Sequence, residues 1–201
     1  MSSTPHCSAP VRLTDERFVN LFATSVQRGD KTSRWVFASR RANPGPDVRP
    51  DGVLIIARAS LGGVPHLVLT REYRVPLGAH ELAVPAGLLD EGESAEEAAR
   101  REFREETGMM LTRVVHVSPP LASSAGLTDE TVVMVYGEAE GAASRDHQME
   151  DENIEVRLFT LEQVQELVRH GSPDIVSARL YPVLVAFAAA GSLAPPFETS
   201  R

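Results

Sequence analysis

Three glutamates in one short segment could hold a metal ion. Glu102, Glu105 and Glu106 stand at positions i, i+3 and i+4, a spacing that places their side chains on one face of an α-helix. Carboxylates that close repel each other unless a cation lies among them, and a hard cation such as Mg²⁺ prefers oxygen ligands. The spacing therefore predicts a metal-binding face, and the alternative is an acidic helix face that is simply exposed to solvent.

The residues around these glutamates predict the helix that carries them. Ser94 and Glu97 form a capping-box pattern at its start, and Gly108 suits the left-handed conformation that ends many helices. Between these two ends, an apolar stripe is available to face a core, formed by Ala95, Ala98, Ala99, Phe103 and Met109. The segment 85–109 thus predicts a loop, a helix and a second loop.

The complete spacing from Gly87 to Met109 carries more information than the glutamates alone. It follows the pattern G-x5-E-x7-R-E-U-x-E-E-x-G-U, where U is a bulky apolar residue, with fixed residues Gly87, Glu93, Arg101, Glu102, Glu105, Glu106 and Gly108. This pattern resembles the signature of the Nudix hydrolases, although Phe103 stands where that family more often has an aliphatic residue. The resemblance implies an α/β fold, specifically a Nudix α/β/α sandwich with a mixed sheet.

The resemblance also implies a mechanism, in which water attacks one phosphorus of a pyrophosphate linkage with Mg²⁺, or Mn²⁺ as a substitute. The metal ligands would be the Ala86 carbonyl and the carboxylates of Glu102, Glu105, Glu106 and Glu152. Glu105 and Arg101 would belong to the catalytic group, with Arg101 orienting the carboxylates. Glu93 would anchor the loop, and Gly87 would permit a close approach of the backbone that a Cβ would block.

Two flanking segments resemble the ADP-ribose pyrophosphatase branch of that family. Residues 71–74 followed by 85–87 resemble the branch's strand and its Pro-Ala-Gly entry, which implies that Arg74 holds a phosphate. The alternative is an ion pair of Arg74 with Glu72 or Glu81. The branch usually has a glutamate where this chain has Ala83. Residues 124–130 resemble the branch's substrate loop ending in Glu130, with Ser123 and Ala125 in place of its usual prolines.

Two further features have two interpretations each. The acidic segment 150–156 resembles the loop from which the branch draws a general base, which implies Glu150 first and Glu152 second, and the alternative is a solvated acidic loop. Trp35 could stack on an adenine of the substrate or serve as a core or dimer contact.

Composition limits the class of protein. The chain has 201 residues, 42% of them hydrophobic, which is enough for one domain with extensions. A net charge of -8 argues against a surface that coats nucleic acid, so we expect no nucleic-acid partner. Cys7 is the single cysteine, so an intrachain disulfide is excluded. The sequence lacks an apolar signal core or membrane span, which predicts a cytoplasmic protein with no membrane partner.

Local patterns predict the organisation of the chain. We expect a flexible tail in residues 1–12, an N-terminal subdomain in 13–46 that contains a strand near 33–40 and could serve as a dimerisation element, and a Nudix hydrolase domain in 47–195. Strands are predicted at 52–58, 66–74, 113–117, 131–136 and 154–159. Two later helices are predicted at 161–170, between Thr160 and Gly171, and at 177–190.

The sequence therefore predicts a homodimeric enzyme that hydrolyses ADP-ribose or a related nucleoside diphosphate sugar to AMP and a sugar phosphate such as ribose 5-phosphate. One rival is a Nudix hydrolase for another nucleotide, either a dinucleotide or an oxidised nucleoside triphosphate. The other rival is a module that senses ADP-ribose without hydrolysing it. The sensor is disfavoured because the carboxylates at 93, 102, 105 and 106 are all present.

Overall fold

The computed structural model describes residues 4–45, 49–148 and 153–194. The chain divides into two compact units. The first comprises residues 1–51 and 120–132, and the second comprises residues 52–119 and 133–201.

The first unit contains a small antiparallel sheet built on one long hairpin. Strands β3 (Asn20–Arg28) and β4 (Lys31–Ser39) pair along their whole length around a turn at Gly29, whose φ is 59°. The other edge of β3 pairs with two short strands, β1 (His6–Cys7) and β2 (Val11–Arg12). Residues 4–12 are therefore not the flexible tail that their small and polar composition predicted, because their backbone groups complete the exposed edge of β3.

Residues 120–132 belong to the first unit through backbone and side-chain hydrogen bonds. Strand β10 (Leu121–Ala122) pairs with Thr131 and Val132, and the Ala38 amide donates to the Leu127 carbonyl at 2.8 Å. Asp51 accepts two hydrogen bonds from Arg41 and a third from the Thr131 amide. The N-terminal part of this unit thus extends to residue 51, and the unit also includes the later segment 120–132. The sequence predicted that the N-terminal subdomain ends at residue 46.

The second unit is built on a mixed sheet. Its strands are β5 (Gly52–Leu61), β6 (Val64–Arg74), β7 (Ala79–Ala83), β8 (Ala86–Leu88), β9 (Met110–Val117), β11 (Thr131–Glu140, of which 133–140 lie in this unit), β12 (Glu155–Phe159) and β13 (Ile175–Val176). The strand order is β11-β5-β6-β7-β13, with β9 paired to β11 and β12 paired to β6. The pairing of β13 with β7 is parallel, which makes the sheet mixed.

One strand of this sheet changes partner along its length. The second half of β5 pairs with β6 in a hairpin that turns at Gly62 and Gly63, and its first half pairs with β8. The Ile55 amide continues the second pairing by donating to the Pro85 carbonyl at 2.8 Å. The sheet therefore opens at this point, and the opening holds Ala86–Leu88 beside the end of the helix that follows.

That helix, α1 (Ala95–Thr107), has the ends that the sequence predicted. Ser94 and Glu97 form both bonds of the capping box, and Gly108 adopts φ 71° at the other end. The apolar stripe is buried in a core with side chains of β5, β6, β9 and β11, and its members Ala98, Ala99, Phe103 and Met109 have 0% exposure. The alternation of β6 shows that Val68, a member of this core, lies on the face covered by α1.

The opposite face of β6 carries Leu67 and Leu69, which are also buried. Helix α2 (Leu161–His170) begins at the Thr160 capping box and ends at Gly171, as predicted. Helix α3 (Tyr181–Ala190) begins four residues later than predicted, because Pro182 suits the first turn of a helix and not its interior. Helix α2 contacts both β6 and α3. Neither helix, nor any other in the described ranges, is long and apolar enough to cross a membrane.

An ion-pair network ties β6 to the elements on this second face. Arg71 donates from Nε and Nη2 to Asp174, at 2.8 and 3.0 Å, and lies 3.6 Å from Glu155 of β12. The bonds from Arg71 lower the pKa of the Asp174 carboxyl, while partial burial opposes that effect. A lowered pKa in the folded state means that the pair stabilises the fold above the unfolded-state pKa of about 4 and that this contribution disappears as the pH falls below it.

We expect the substitution Asp174→Asn to lower the melting temperature at pH 7 by several degrees, because Arg71 loses the closer of its two charged partners. The loss should shrink as the pH falls from about 5 towards 2, since the wild-type carboxylate is then protonated as well. Thermal unfolding followed by circular dichroism over this pH range measures the effect. Glu166→Gln is the control, because Glu166 pairs with Arg169 on an exposed helix face. Equal melting temperatures for Asp174→Asn and the wild type at pH 7 would contradict the assignment.

Candidate metal centre

Strand β8 and helix α1 approach each other closely at Gly87 and Glu102. A Cβ placed on Gly87 would overlap the Cδ and both carboxylate oxygens of Glu102. The carboxylate of Glu102 therefore occupies the space that any other residue at position 87 would fill. The glycine in the sequence pattern has a local cause, because it allows a carboxylate of α1 to lie directly over the backbone of β8.

Arg101 lies among the carboxylates and joins four parts of the segment. It donates from Nε and Nη2 to the two oxygens of Glu93, at 3.0 and 2.8 Å, and from Nη2 to the Leu88 carbonyl at 3.0 Å. Its Nη1 lies 2.8 Å from Glu102 Oε1 and 3.2 Å from Glu105 Oε2. The fork onto Glu93 fixes the plane of the guanidinium, and the plane in turn directs Nη1 towards the two carboxylates of α1.

These contacts shift the protonation equilibria of both partners of the fork. The bonds from Arg101 lower the pKa of Glu93, with a further contribution from the Asp90 amide, while burial opposes them. The same bonds raise the pKa of Arg101. Glu93 therefore stays ionised and Arg101 stays protonated around neutral pH, so the loop before α1 is held by a charged pair.

The third glutamate of α1 is buried. Glu106 is 8% exposed, and its Oε2 accepts a hydrogen bond from the Ala86 amide at 3.1 Å. The carboxylates of Glu102 and Glu106 thus contact consecutive residues of β8, whereas the side chain of Glu105 is 37% exposed. Residues 86 and 87 are therefore the point at which two of the predicted ligands, Glu102 and Glu106, lie against β8.

The chemistry of this set fits a hard divalent cation. The donors are carboxylate oxygens, which Mg²⁺ and Mn²⁺ prefer, and the Gly87 approach removes the side chain that would separate them from the β8 backbone. Within the described ranges, however, no three acidic, histidine or cysteine side chains converge as a ready metal cage. Instead, Arg101 forms ion pairs with Glu102 and Glu105 and so partly neutralises them. These ion pairs would have to rearrange when a cation binds.

The end of α1 is held by a residue that sequence reasoning missed. Gln148 donates from Nε2 to the Glu106 carbonyl at 2.9 Å and to the Ile154 carbonyl at 2.8 Å. The Ser144 amide donates to the Thr107 carbonyl at 2.9 Å, so the segment after β11 satisfies carbonyls that the helix end leaves without an intrahelical donor. A glutamine in a polar segment gives no sequence signal for such a contact, because its partners are backbone carbonyls, and that of Glu106 is 42 residues away.

The candidate general bases, Glu150 and Glu152, lie outside the described residues, between Gln148 and Asn153. The residues on either side of them are described, and these two sides are bonded to each other. Besides the bond from Gln148 to the Ile154 carbonyl, the Ile154 amide donates to Gln148 Oε1 at 3.4 Å. The roles of the two glutamates stay predictions.

Arg74 forms the ion pairs that the sequence offered as the alternative to phosphate binding. Its Nη1 lies 2.7 Å from Glu72 Oε2, and its Nε donates to Glu81 Oε2 at 2.9 Å. The guanidinium is nevertheless not enclosed, because the Arg74 side chain is 42% exposed. The two ion pairs therefore do not exclude a contact between Arg74 and a ligand.

The remaining predicted substrate contacts, Trp35 and Glu130, belong to the first unit. Trp35 is 44% exposed and lines a pocket of about 370 Å³ together with Phe37, Thr128 and Asp129. Its ring therefore has an open apolar surface and is not a core residue. Glu130 lies 3.5 Å from Arg40 through its Oε1. The acidic side chain that lines the pocket with Trp35 is that of Asp129.

Comparison with known proteins agrees with this description. A model of the NUDIX domain matches residues 48–180. The putative nudix hydrolase 2 of Caenorhabditis elegans is 34% identical over 157 residues, which cover 77% of this chain and 70% of that protein. The ADP-ribose pyrophosphatase of Escherichia coli K12 is 38% identical over 96 residues, which are 46% of each protein, so the match spans about half of that relative.

A solved structure also resembles the fold. It is described as a crystal structure of ADP compounds hydrolase, and it matches with a TM-score of 0.69, covering 95% of this chain and 97% of that one. The sequence identity is 22%, so this likeness concerns the mixed α/β fold alone.

We expect the substitution Gly87→Ala to weaken binding of a divalent cation roughly tenfold to a hundredfold, because the new Cβ displaces the Glu102 carboxylate. Titration with Mn²⁺, followed by calorimetry, measures the affinity directly. The control is Gly45→Ala, since a Cβ at Gly45 meets nothing within 4 Å. If Gly87→Ala and Gly45→Ala bound Mn²⁺ equally well, Glu102 would not be a ligand in its present position.

Proposed function

The chain belongs to the Nudix family of pyrophosphohydrolases, and we propose that it hydrolyses the pyrophosphate linkage of ADP-ribose or a related nucleoside diphosphate sugar. ADP-ribose would give AMP and ribose 5-phosphate. The observation that carries this proposal is the meeting of Glu102 and Glu106 with two consecutive residues of β8, beside an arginine that is forked onto Glu93. The similarity to ADP-ribose pyrophosphatases supports the choice of substrate class.

Nudix hydrolases generally use divalent metal ions, and we propose Mg²⁺ for this chain, with Mn²⁺ as a substitute. The ligands would be Glu102, Glu105 and Glu106, with the Ala86 carbonyl and Glu152. The ions would neutralise the diphosphate and lower the pKa of the attacking water. The hydrogen bond from the Ala86 amide supports the role of Glu106 as a ligand, because it holds the buried carboxylate beside β8.

Other residues of the chain would orient the metal ligands, accept a proton from the attacking water and bind the substrate. Before a cation binds, Arg101 would keep Glu102 and Glu105 in place through its fork onto Glu93. Glu150 is our first candidate for the base that takes the proton of the attacking water, with Glu152 as the second. Arg74 would contact a phosphate, Trp35 would stack on the adenine and Glu130 would contact the substrate. We further propose a homodimer formed through residues 13–46, and a cytoplasmic location stays a prediction from the sequence.

The substrate class is tested with a panel of ADP-ribose, ADP-glucose, GDP-mannose, NADH, a diadenosine polyphosphate and 8-oxo-dGTP. We expect AMP from ADP-ribose at the highest kcat/KM, and we expect chelation with EDTA to abolish turnover until Mg²⁺ is restored. Chromatography of the nucleotide products gives both results. Preference for 8-oxo-dGTP or the dinucleotide would keep the chemistry but refute the substrate class. Binding of ADP-ribose without hydrolysis would support the sensor instead.

The metal-ligand role is tested with Glu106→Gln. We expect kcat to fall by at least about 10³-fold, because the amide removes the negative charge but not the oxygen that accepts the Ala86 bond. Thermal stability should change little, since a like charge is removed from a crowded helix face. The control is Glu96→Gln on the outer face of the same helix, where Glu96 pairs with Arg100. A Glu106→Gln variant with normal kcat would refute this assignment, and one that unfolds would refute the stability argument.

A further inference from the structure

Arg74 lies between two carboxylates on the face of the sheet that carries α1. Strands β6 and β7 pair in the register Glu72↔Glu81, so these two glutamates are directly opposite each other. Side chains two residues apart on a strand share a face, which places Arg74 on the same face as Glu72 and Val68. Val68 packs in the α1 core, so the cluster of Glu72, Arg74 and Glu81, called here the Arg74 cluster, lies on the α1 side.

The two contacts fix the orientation of the guanidinium. Glu81 accepts from Nε at 2.9 Å and Glu72 contacts Nη1 at 2.7 Å, so two different nitrogens are held by two different strands. The side chains of Glu81 and Glu72 are 19% and 29% exposed, whereas that of Arg74 is 42% exposed. In the described ranges, the contacts of Arg74 therefore leave Nη2, with its two N–H groups, for an oxygen of a ligand.

The structural value of this arrangement is small. Strands β6 and β7 are already joined by the ladder and by a short connection, so an ion pair between them closes no new loop. Two like charges placed directly opposite each other destabilise a sheet, and exposed ion pairs contribute little. Arg71 on the other face provides the contrast, since it links β6 to Asp174, a distant part of the chain.

We infer that Glu81, assisted by Glu72, is a positioning residue that orients the Arg74 guanidinium towards a diphosphate oxygen of the substrate. This inference rests on the proposed function, because it assigns the contact to the pyrophosphate group of that substrate. Arginine binds phosphate oxygens through N–H groups in a fixed plane, so the orientation of the plane determines the strength of the contact.

The sign of the effect of Glu81→Ala separates this role from its alternatives. If Glu81 orients Arg74, its removal raises KM for ADP-ribose about tenfold with kcat within about twofold, because an oriented binding contact is lost. If Glu81 only neutralised Arg74, its removal would lower KM by freeing a positive charge. If the pair were merely structural, KM would not change. Glu81→Gln keeps an acceptor oxygen for Nε, so it should restore KM to within about threefold of the wild type.

A second background tests whether Glu81 acts through Arg74. Arg74→Ala should raise KM, and adding Glu81→Ala to that variant should have less than about a twofold further effect. The matched control is Glu155→Ala. It removes a carboxylate beside Arg71, which lies on β6 like Arg74 but on the opposite face of the sheet. A lowered or unchanged KM in Glu81→Ala, or an equal effect of Glu81→Ala with and without Arg74, would overturn the inference.

Binding of inorganic pyrophosphate separates failure of this inference from failure of the proposed function. Calorimetric titration in the presence of Mg²⁺ needs no turnover, and we expect Glu81→Ala to bind pyrophosphate about tenfold more weakly than the wild type. If the wild type hydrolyses no member of the panel, the proposed function fails, but this ratio still supports the inference. Equal affinities in both proteins, or no binding by the wild type, would overturn the inference even if ADP-ribose is hydrolysed.

Discussion

The close packing of carboxylates along α1 is the constraint on which the second unit depends. Glu102 and Glu106 are both largely buried against β8, and charges in such a place destabilise a fold unless they are bonded. The guanidinium of Arg101 and the amide of Ala86 are two of the partners that meet this need.

This constraint explains the unusual course of the sheet. For a backbone amide to bond to Glu106, a strand must run beside α1 with amides on one edge that are not used in pairing with another strand. Strand β8 has such an edge, from which the Ala86 amide bonds to Glu106. The change of partner along β5, from β6 to β8, provides that strand. Gly87 then follows as a requirement, because the chain passes so close to the helix that the Glu102 carboxylate lies where a Cβ would be.

Local signals in the sequence predicted the parts of the fold that are determined locally. The capping boxes at Ser94 and Thr160 gave the starts of α1 and α2, and the glycine pair at 62 and 63 gave the hairpin. Contacts between distant segments were not predictable in this way. The pairing of residues 6–12 with β3 and the bonds of Gln148 to Glu106 and Ile154 depend on backbone atoms that no side-chain pattern reveals.

The distribution of charge over the two faces of the sheet argues that the α1 face is arranged for a ligand and not for stability. On the opposite face, the network around Arg71 is balanced, with Arg71 and Arg157 beside Asp174 and Glu155. On the α1 face, the described clusters bring together more acids than bases, namely Glu72, Glu81, Glu93, Glu102, Glu105 and Glu106 with Arg74 and Arg101.

An excess of buried and half-buried carboxylates is unfavourable for folding, because each one repels the others and loses solvation. A protein retains such an arrangement where a cationic or metal-bound ligand restores the balance. In the clusters named above, the carboxylates outnumber Arg74 and Arg101. Under the proposed function, a divalent cation would add positive charge beside these carboxylates, and Arg74, held in a fixed plane, would contact the diphosphate.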